Sequence, residues 1–261
     1  MSKRPLILVS NDDGISALGI RSLVEVAKEF GEVIVVAPNS PQSAKSNALT
    51  ISEPLRLFKS DIFEGVESYE CSGTPVDCVK LAKSIVCKDR TIDLCVSGIN
   101  HGSNASINIV YSGTMSAAME AAMAGIKAIG FSLCDFSHQA DFSAAKHYAR
   151  IMIAFALENP MSESKLLNVN IPKLPLESIK GIKTCRQANA YWTENFLENK
   201  DPHGRTYYWL TGEFINHEPD AADTDEFALA NGYVSLVPCS FDLTSHKSLD
   251  YYKNQSFNLP I

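Results

Sequence analysis

The sequence predicts an α/β fold organised on a parallel sheet, and three observations carry that prediction. Through about residue 135, short apolar runs alternate with stretches of helical periodicity, the pattern of repeated βαβ units. The first two runs, Leu6 to Ser10 and Val33 to Ala37, are apolar, as strands covered on both faces must be. Between them Ile20, Leu23, Val24 and Ala27 fall on one face of a helix.

The remaining elements follow in order. The stretch from about Ala48 to Cys71 is less regular and is expected to add strands. Thr74 to Val86 reads as a helix with Pro75 at its first position, where the missing N–H has no helical partner to lose. A strand at Leu94 to Ser97 leads into a long loop, then a helix from about Thr114 to Ala124, a strand at Ala128 to Leu133 and a helix at Asp141 to Leu157. Past residue 160 the pattern weakens. A strand at Leu166 to Asn170 precedes a polar region of hairpin character containing Tyr191-Trp192 and Tyr207-Tyr208-Trp209. These aromatics read as packing or subunit-contact residues rather than stacking platforms. No internal repeat or low-complexity segment interrupts the chain.

Composition narrows the function. The 261 residues are 45% hydrophobic and 20% charged, enough to bury one large core. Lys3 and Arg4 precede only a short apolar run, and no stretch approaches the roughly 18 apolar residues a membrane helix needs, so the expected compartment is the cytoplasm. Seven cysteines without a C-x-x-C pair predict reduced, buried thiols. Six dispersed histidines give no zinc-helix spacing, which leaves oxygen donors for any metal. A net charge of -7 with no basic run argues against a nucleic-acid surface. If the substrate is a phosphate, positive charge must come from a cation, helix N-termini or an occasional residue such as Lys45.

In a parallel sheet the ligand crevice lies beyond the carboxyl ends of the strands. Three oxygen-rich loops occupy such positions: Asn11-Asp12-Asp13-Gly14, Pro38 to Asn47, and Ser97 to Asn104. Adjacent carboxylates meet one ion only if the chain turns, which Gly14 allows. Two carboxylates about 5 Å apart repel by roughly 3 kcal/mol at an effective dielectric near 20, so a divalent cation is a natural means of keeping both ionised. The same pair could instead be the cap and first-turn acids of a helix, and the motif alone leaves both readings open. Tyr111-Ser112-Gly113-Thr114 offers hydroxyls and free N–H groups at a helix start, an anion cradle, although Ser112 or Thr114 could also be a plain N-cap. Neither a P-loop nor a dinucleotide-binding glycine pattern is present, and no G-x-S-x-G elbow or activated cysteine supports covalent catalysis. Asp223-Thr224-Asp225 reads as the cap of a helical stretch from Glu226 to Ala230.

These loops resemble the SurE family of 5'-nucleotidases. The matching segments are S-N-D-D-G at Ser10 to Gly14, Q-S-A-K-S-N-A-L-T at Gln42 to Thr50, G-T-P-V-D-C-V at Gly73 to Val79, S-G-I-N-H-G-S-N at Ser97 to Asn104, Y-S-G-T-M-S-A-A-M-E at Tyr111 to Glu120, and G-Y-V-S-L-V-P at Gly232 to Pro238. The resemblance implies a Rossmann-like, mostly parallel sheet with helices on both faces, and a hairpin-rich C-terminal extension that reaches a neighbouring subunit in a homodimer or homotetramer. One domain would span residues 1–261, with a core of about 1–185 plus 226–240, an extension of about 186–225 and a tail of 241–261.

The same resemblance implies one magnesium or manganese ion per subunit. Its ligands would be Asp12, Asp13, Ser43 and Asn100, with phosphate contacts at Asn104, Ser112, Gly113 and Thr114. Asp12 or Asp13 would orient or deprotonate the attacking water. Two departures stand out: Ser43-Ala44-Lys45-Ser46 where the family commonly has S-G-x-S, and Asn104-Ala105-Ser106 where it commonly has N-x-G. Both lose a glycine. The implied activity is hydrolysis of nucleoside 5'-monophosphates, with 3'-nucleotides as further substrates. A polyphosphate-degrading enzyme, a phosphotransferase and a non-catalytic nucleotide-binding regulator are the alternatives.

Overall fold

The computed structural model describes residues 4–137, 139–163 and 165–257. Its centre is a parallel run of strands: β1 (Leu6–Ser10), β2 (Glu32–Pro38), β4 (Glu67–Cys71), β5 (Leu94–His101), β6 (Lys127–Leu133) and β7 (Leu166–Ile171). They lie in the order β4-β2-β1-β5-β6-β7. β3 (Leu57–Ser60) pairs antiparallel on β4 at one edge. At the other, β11 (Val234–Cys239) runs antiparallel to β7, and β8 (Ile182–Thr184) runs parallel to β11.

The apolar strands are explained by cover on both faces. Along β1, Ile7 and Val9 belong to the cluster holding α1 (Leu18–Ala27) and α4 (Ser143–Glu158). Leu6 and Leu8 belong to the opposite cluster, with α2 (Pro75–Leu81) and α3 (Gly113–Met123). Side chains of a strand alternate in direction, so one pentapeptide feeds two cores. All five β1 residues are buried. α1 approaches β5 closely because residue 19 is glycine: a Cβ there would sit 1.8 Å from the carbonyl oxygen of Ile99. That contact fixes the end of β5, where Asn100 stands.

Three elements depart from the sequence reading. β5 continues four residues past Ser97, through a register shift between Ser97 and Asn100, so Asn100 stands on a strand rather than in a loop. The helix expected over Thr74 to Val86 divides into α2 and a turn of π-helix at Ala82–Val86. The tail carries a helix, α6 (His246–Lys253), that buries no residue and was not expected from the sequence.

The aromatic region forms a hairpin, β9 (Ala190–Lys200) and β10 (Thr206–Asn216), in register from Ala190↔Asn216 to Lys200↔Thr206. It is a separate two-stranded sheet. Tyr191, Trp192, Tyr207, Tyr208 and Trp209 are all exposed, so they do not pack a core within this chain. Arg186 clamps the hairpin's base to Glu218 at 2.7 Å and Asp223 at 2.8 Å. Thr224 caps α5 (Asp225–Ala230), accepting from Phe227 N–H, as the sequence suggested.

Candidate active site

The chain turns at Gly14, whose φ of +94° suits a residue without Cβ, and the Asn11 amide closes the turn on the Gly14 carbonyl at 2.9 Å. The turn brings Asp12 and Asp13 to one cavity. It also separates them from α1, which begins at Leu18 without an acidic first turn, so the helix-cap reading of the pair fails.

Asp12 is 5% exposed. Its neighbour is the N-terminus of α3: Thr114 donates its hydroxyl to Asp12 Oδ1, and the helix start favours a negative charge. Burial acts against that charge and dominates; with the Coulombic push of Asp13 it raises the Asp12 carboxyl to about 6, despite the Thr114 bond. Gly113 makes the approach possible, because a Cβ there would lie 2.6 Å from Asp12 Cβ and 2.8 Å from Asp12 Oδ2. Asp13, partly exposed, accepts from His101 N–H at 3.4 Å, with the His101 ring Nδ1 at 3.5 Å. Phe142 braces that ring edge-on at 5.0 Å.

The loop after β2 supplies Ser43. Gln42 N–H donates to the Asp12 carbonyl at 2.7 Å, Ser46 Oγ to the Val110 carbonyl at 2.6 Å, and Thr74 Oγ1 to the Ala48 carbonyl at 2.7 Å. Three neighbouring elements therefore pin it. Asn100 turns its amide nitrogen away, donating to the His101 and Gly102 carbonyls at 3.2 and 2.9 Å, which presents its oxygen to the cavity.

Six of the residues implied for the site line one cavity of about 410 Å³: Asp12, Asp13, Ser43, Asn100, Asn104 and Ser112. Gly113 and Thr114 do not line it; they lie behind Asp12, and the Thr114 hydroxyl is committed to that carboxylate. Ser112 caps α3 by accepting from Met115 N–H at 3.0 Å, a role that leaves its own hydroxyl hydrogen available to donate. Lys45 is exposed and absent from the lining, so it supplies no charge there. Sequence reasoning overlooked His101, which lay inside the S-G-I-N-H-G-S-N segment, and the ladder that fixes Asn104. Asn170 Oδ1 accepts Asn104 N–H at 2.8 Å, Asn168 donates to the Asn104 carbonyl at 2.8 Å, and Asn104 donates to Ser132 at 2.8 Å. Buried asparagines in the apolar strand L-L-N-V-N-I were the legible signal.

The donor set fits a hard divalent cation: two carboxylates, a hydroxyl and an amide oxygen, all oxygen. Among the described residues neither carboxylate has a Lys or Arg partner, and no cluster of three His, Cys, Asp or Glu offers a rival metal site. A cation between them would offset the desolvation and repulsion that Asp12 bears.

Fold and cavity together define an α/β protein with an oxygen-donor site at the carboxyl ends of its central strands, framed by a helix N-terminus. The chain belongs to the SurE family: the family profile described as Survival protein SurE matches residues 7–194. It is 59% identical over 249 residues to the 5'-nucleotidase SurE of Cytophaga hutchinsonii, covering 95% of each chain. To that of Flavobacterium psychrophilum it is 56% identical, covering 99% of this chain and 100% of the relative. The crystal structure of the SurE protein from Aquifex aeolicus superposes with a TM-score of 0.82 at 37% identity, over 95% of this chain and 98% of that one.

Proposed function

We propose that the chain hydrolyses nucleoside 5'-monophosphates to nucleoside and phosphate, using a divalent cation held by Asp12, Asp13, Ser43 and Asn100. The observation that carries this reading is the convergence of carboxylates, neutral oxygens and a helix N-terminus on one cavity, in a chain 59% identical to a protein named 5'-nucleotidase SurE. When bound, the ion neutralises phosphate charge and lowers the pKa of a water; oxygen-only ligation suits magnesium or manganese.

The chain's own residues supply the rest. Thr114 and the start of α3 hold Asp12 in place, and His101 N–H holds Asp13. Both carboxylates line the cavity, and in this reading an oxygen left free by those bonds orients or deprotonates the attacking water. The hydroxyl of Ser112 and the second amide hydrogen of Asn104 are donors for the equatorial phosphate oxygens during in-line displacement. The water oxygen bonds to phosphorus, the ester P–O bond breaks, and the nucleoside oxygen leaves and takes up a proton.

Two further features belong to this reading. Alternation along β9 and β10 puts Tyr191, Leu197, Trp209 and Ile215 on one face of the hairpin, an exposed apolar surface suited to a second copy of the chain. The seven cysteines are unpaired, six of them buried, as suits a cytoplasmic protein.

The test is phosphate release from nucleoside monophosphates with and without magnesium or manganese, in wild type, Asp12→Asn and Asp13→Asn. Metal-dependent turnover lost in both variants is expected. Metal-independent release, or full activity in both variants, refutes the mechanism.

A further inference from the structure

The cavity at Asp12 and Asp13 continues into a second recess of about 510 Å³, between the hairpin and the loop after β2. The two share Ala44, Tyr111 and Trp192 as a common wall. Trp192 is 50% exposed, yet its indole is held: Nε1–H donates to Asn108 Oδ1 at 2.9 Å, and Phe214, its register partner across the hairpin, lies against it at 5.6 Å between ring centroids. Tyr111, 56% exposed, immediately precedes Ser112. An aromatic ring fixed on one side and bare on the other, at the seam of two cavities, is a preorganised stacking surface.

The remaining lining names the occupant. Leu210 and Ala44 are apolar, and among the described residues Glu194 is the only charged one and no Lys or Arg lines the recess. A second phosphate would meet a carboxylate and no compensating cation. A neutral planar ring would meet aromatic faces and, at its edge, an acceptor for N–H groups. We propose that this recess is the nucleobase subsite, with Trp192 and Tyr111 as its stacking walls and Glu194 at its polar edge. The inference rests on the phosphomonoesterase reading of the adjoining site. Stacking tolerates every base, so the subsite favours nucleotides over sugar phosphates more than one base over another.

The test compares kcat/KM for AMP and for ribose 5-phosphate, which lacks the base, in wild type, Trp192→Ala and Trp192→Phe, with folding checked by circular dichroism. Wild type is expected to prefer AMP. Trp192→Ala lowers that preference roughly tenfold, about 1.4 kcal/mol, chiefly through KM for AMP, and Trp192→Phe restores most of it. Trp192 and Trp209 are the chain's two tryptophans, so in a Trp209→Phe background adenosine should quench the remaining emission. A folded Trp192→Ala that keeps its preference, or loses both activities equally, overturns the subsite, as does emission unmoved by adenosine. Wild type with equal kcat/KM for the two substrates overturns the subsite but leaves the phosphatase chemistry standing. Wild type that releases phosphate from neither refutes the underlying reading and the subsite with it.

Discussion

Replacing Gly113 with alanine tests whether Asp12 works from one fixed position. The added Cβ would lie 2.6 Å from Asp12 Cβ, 2.8 Å from Oδ2 and 3.0 Å from Cγ. Carbon atoms settle at about 3.5–4.0 Å, so the overlap is roughly 1 Å, and it falls on the side chain rather than on backbone. Asp12 is buried and tied to Thr114, so it cannot yield without leaving the cavity's geometry. A misplacement of about 1 Å costs on the order of 100-fold in rate, or about 2.7 kcal/mol of barrier. Stability should change far less, because alanine is the better helix former by up to ~1 kcal/mol and offsets part of the strain. Gly113→Ala should therefore lose about two orders of magnitude in kcat/KM for a nucleoside monophosphate at saturating magnesium, with a melting temperature within a few degrees of wild type. Activity within threefold of wild type would refute the claim that close helix approach sets the carboxylate. A collapse in melting temperature would refute the claim that the effect is local.

Four further outcomes follow from the packing. Ala44 and Ser106 hold left-handed φ values of +59° and +49°, so Ala44→Gly should relieve part of the roughly 1–2 kcal/mol such backbone costs, a gain cut by glycine's greater freedom when unfolded, and raise the melting temperature by about 1–2 °C. Ser106→Gly should gain nothing, because it also loses the 3.1 Å bond from Ser106 Oγ to Glu226; equal gains in a thermal melt would show the bond to be idle. Asp225→Ala removes the acceptor for Ser106 N–H at 2.8 Å and Ala188 N–H at 2.9 Å, both buried, and should destabilise by about 2–5 kcal/mol in urea unfolding, whereas less than 1 kcal/mol would mean those donors find other partners. Burial pushes the thiols of Cys95, Cys134 and Cys239 up to about 12, so the native state keeps protons that an unfolded thiol releases from about pH 9. Their contribution is whole below pH 9 and fades as pH rises toward 12, and Cys95→Ala should flatten a melting curve measured from pH 8 to 10.5; an unchanged slope would refute it.

Much of this architecture was legible because the physics behind it is local. Apolar runs such as Leu6–Val9 must be covered on both faces, and Thr74-Pro75 announces a helix start, realised as a cap in which Thr74 accepts Asp77 N–H at 3.2 Å while Asp77 accepts Thr74 N–H at 2.9 Å. What escaped was tertiary or weakly patterned. Thr114 looks like a phosphate contact in the string Y-S-G-T, but the approach of the start of α3 to the loop after β1 turns its hydroxyl onto Asp12. Asn100 looks like a loop residue because Gly98 interrupts the apolar run, and only pairing with β6 extends the strand through it. α6 is a single polar stretch of eight residues with none buried, too short for its periodicity to stand out from the tail.

The two lost glycines show how a loop can keep its shape when its residues no longer favour it. Glycine reaches a positive φ at little cost, and a chain that replaces it must hold the backbone from outside. At Ser106 the outside hold is visible: Asp225 takes its N–H, Glu226 takes its hydroxyl, and both belong to a helix start some 120 residues away in sequence. Two residues earlier, the asparagine ladder from β7 fixes Asn104. At Ala44 the hold is on its neighbours, through Gln42 to the Asp12 carbonyl and Ser46 to the Val110 carbonyl. The loop conformation is thus maintained by long-range hydrogen bonds that a reading of the local motif does not contain. Because Ser106 begins the turn that carries Asn108, and Asn108 in turn holds Trp192, the substitution at residue 106 bears on the aromatic wall more directly than on the carboxylates. Any change in substrate range that follows from the altered N-x-G segment should therefore appear at the base-facing end of the cavity, while the oxygen donors around Asp12 stay where β1, β5 and α3 put them.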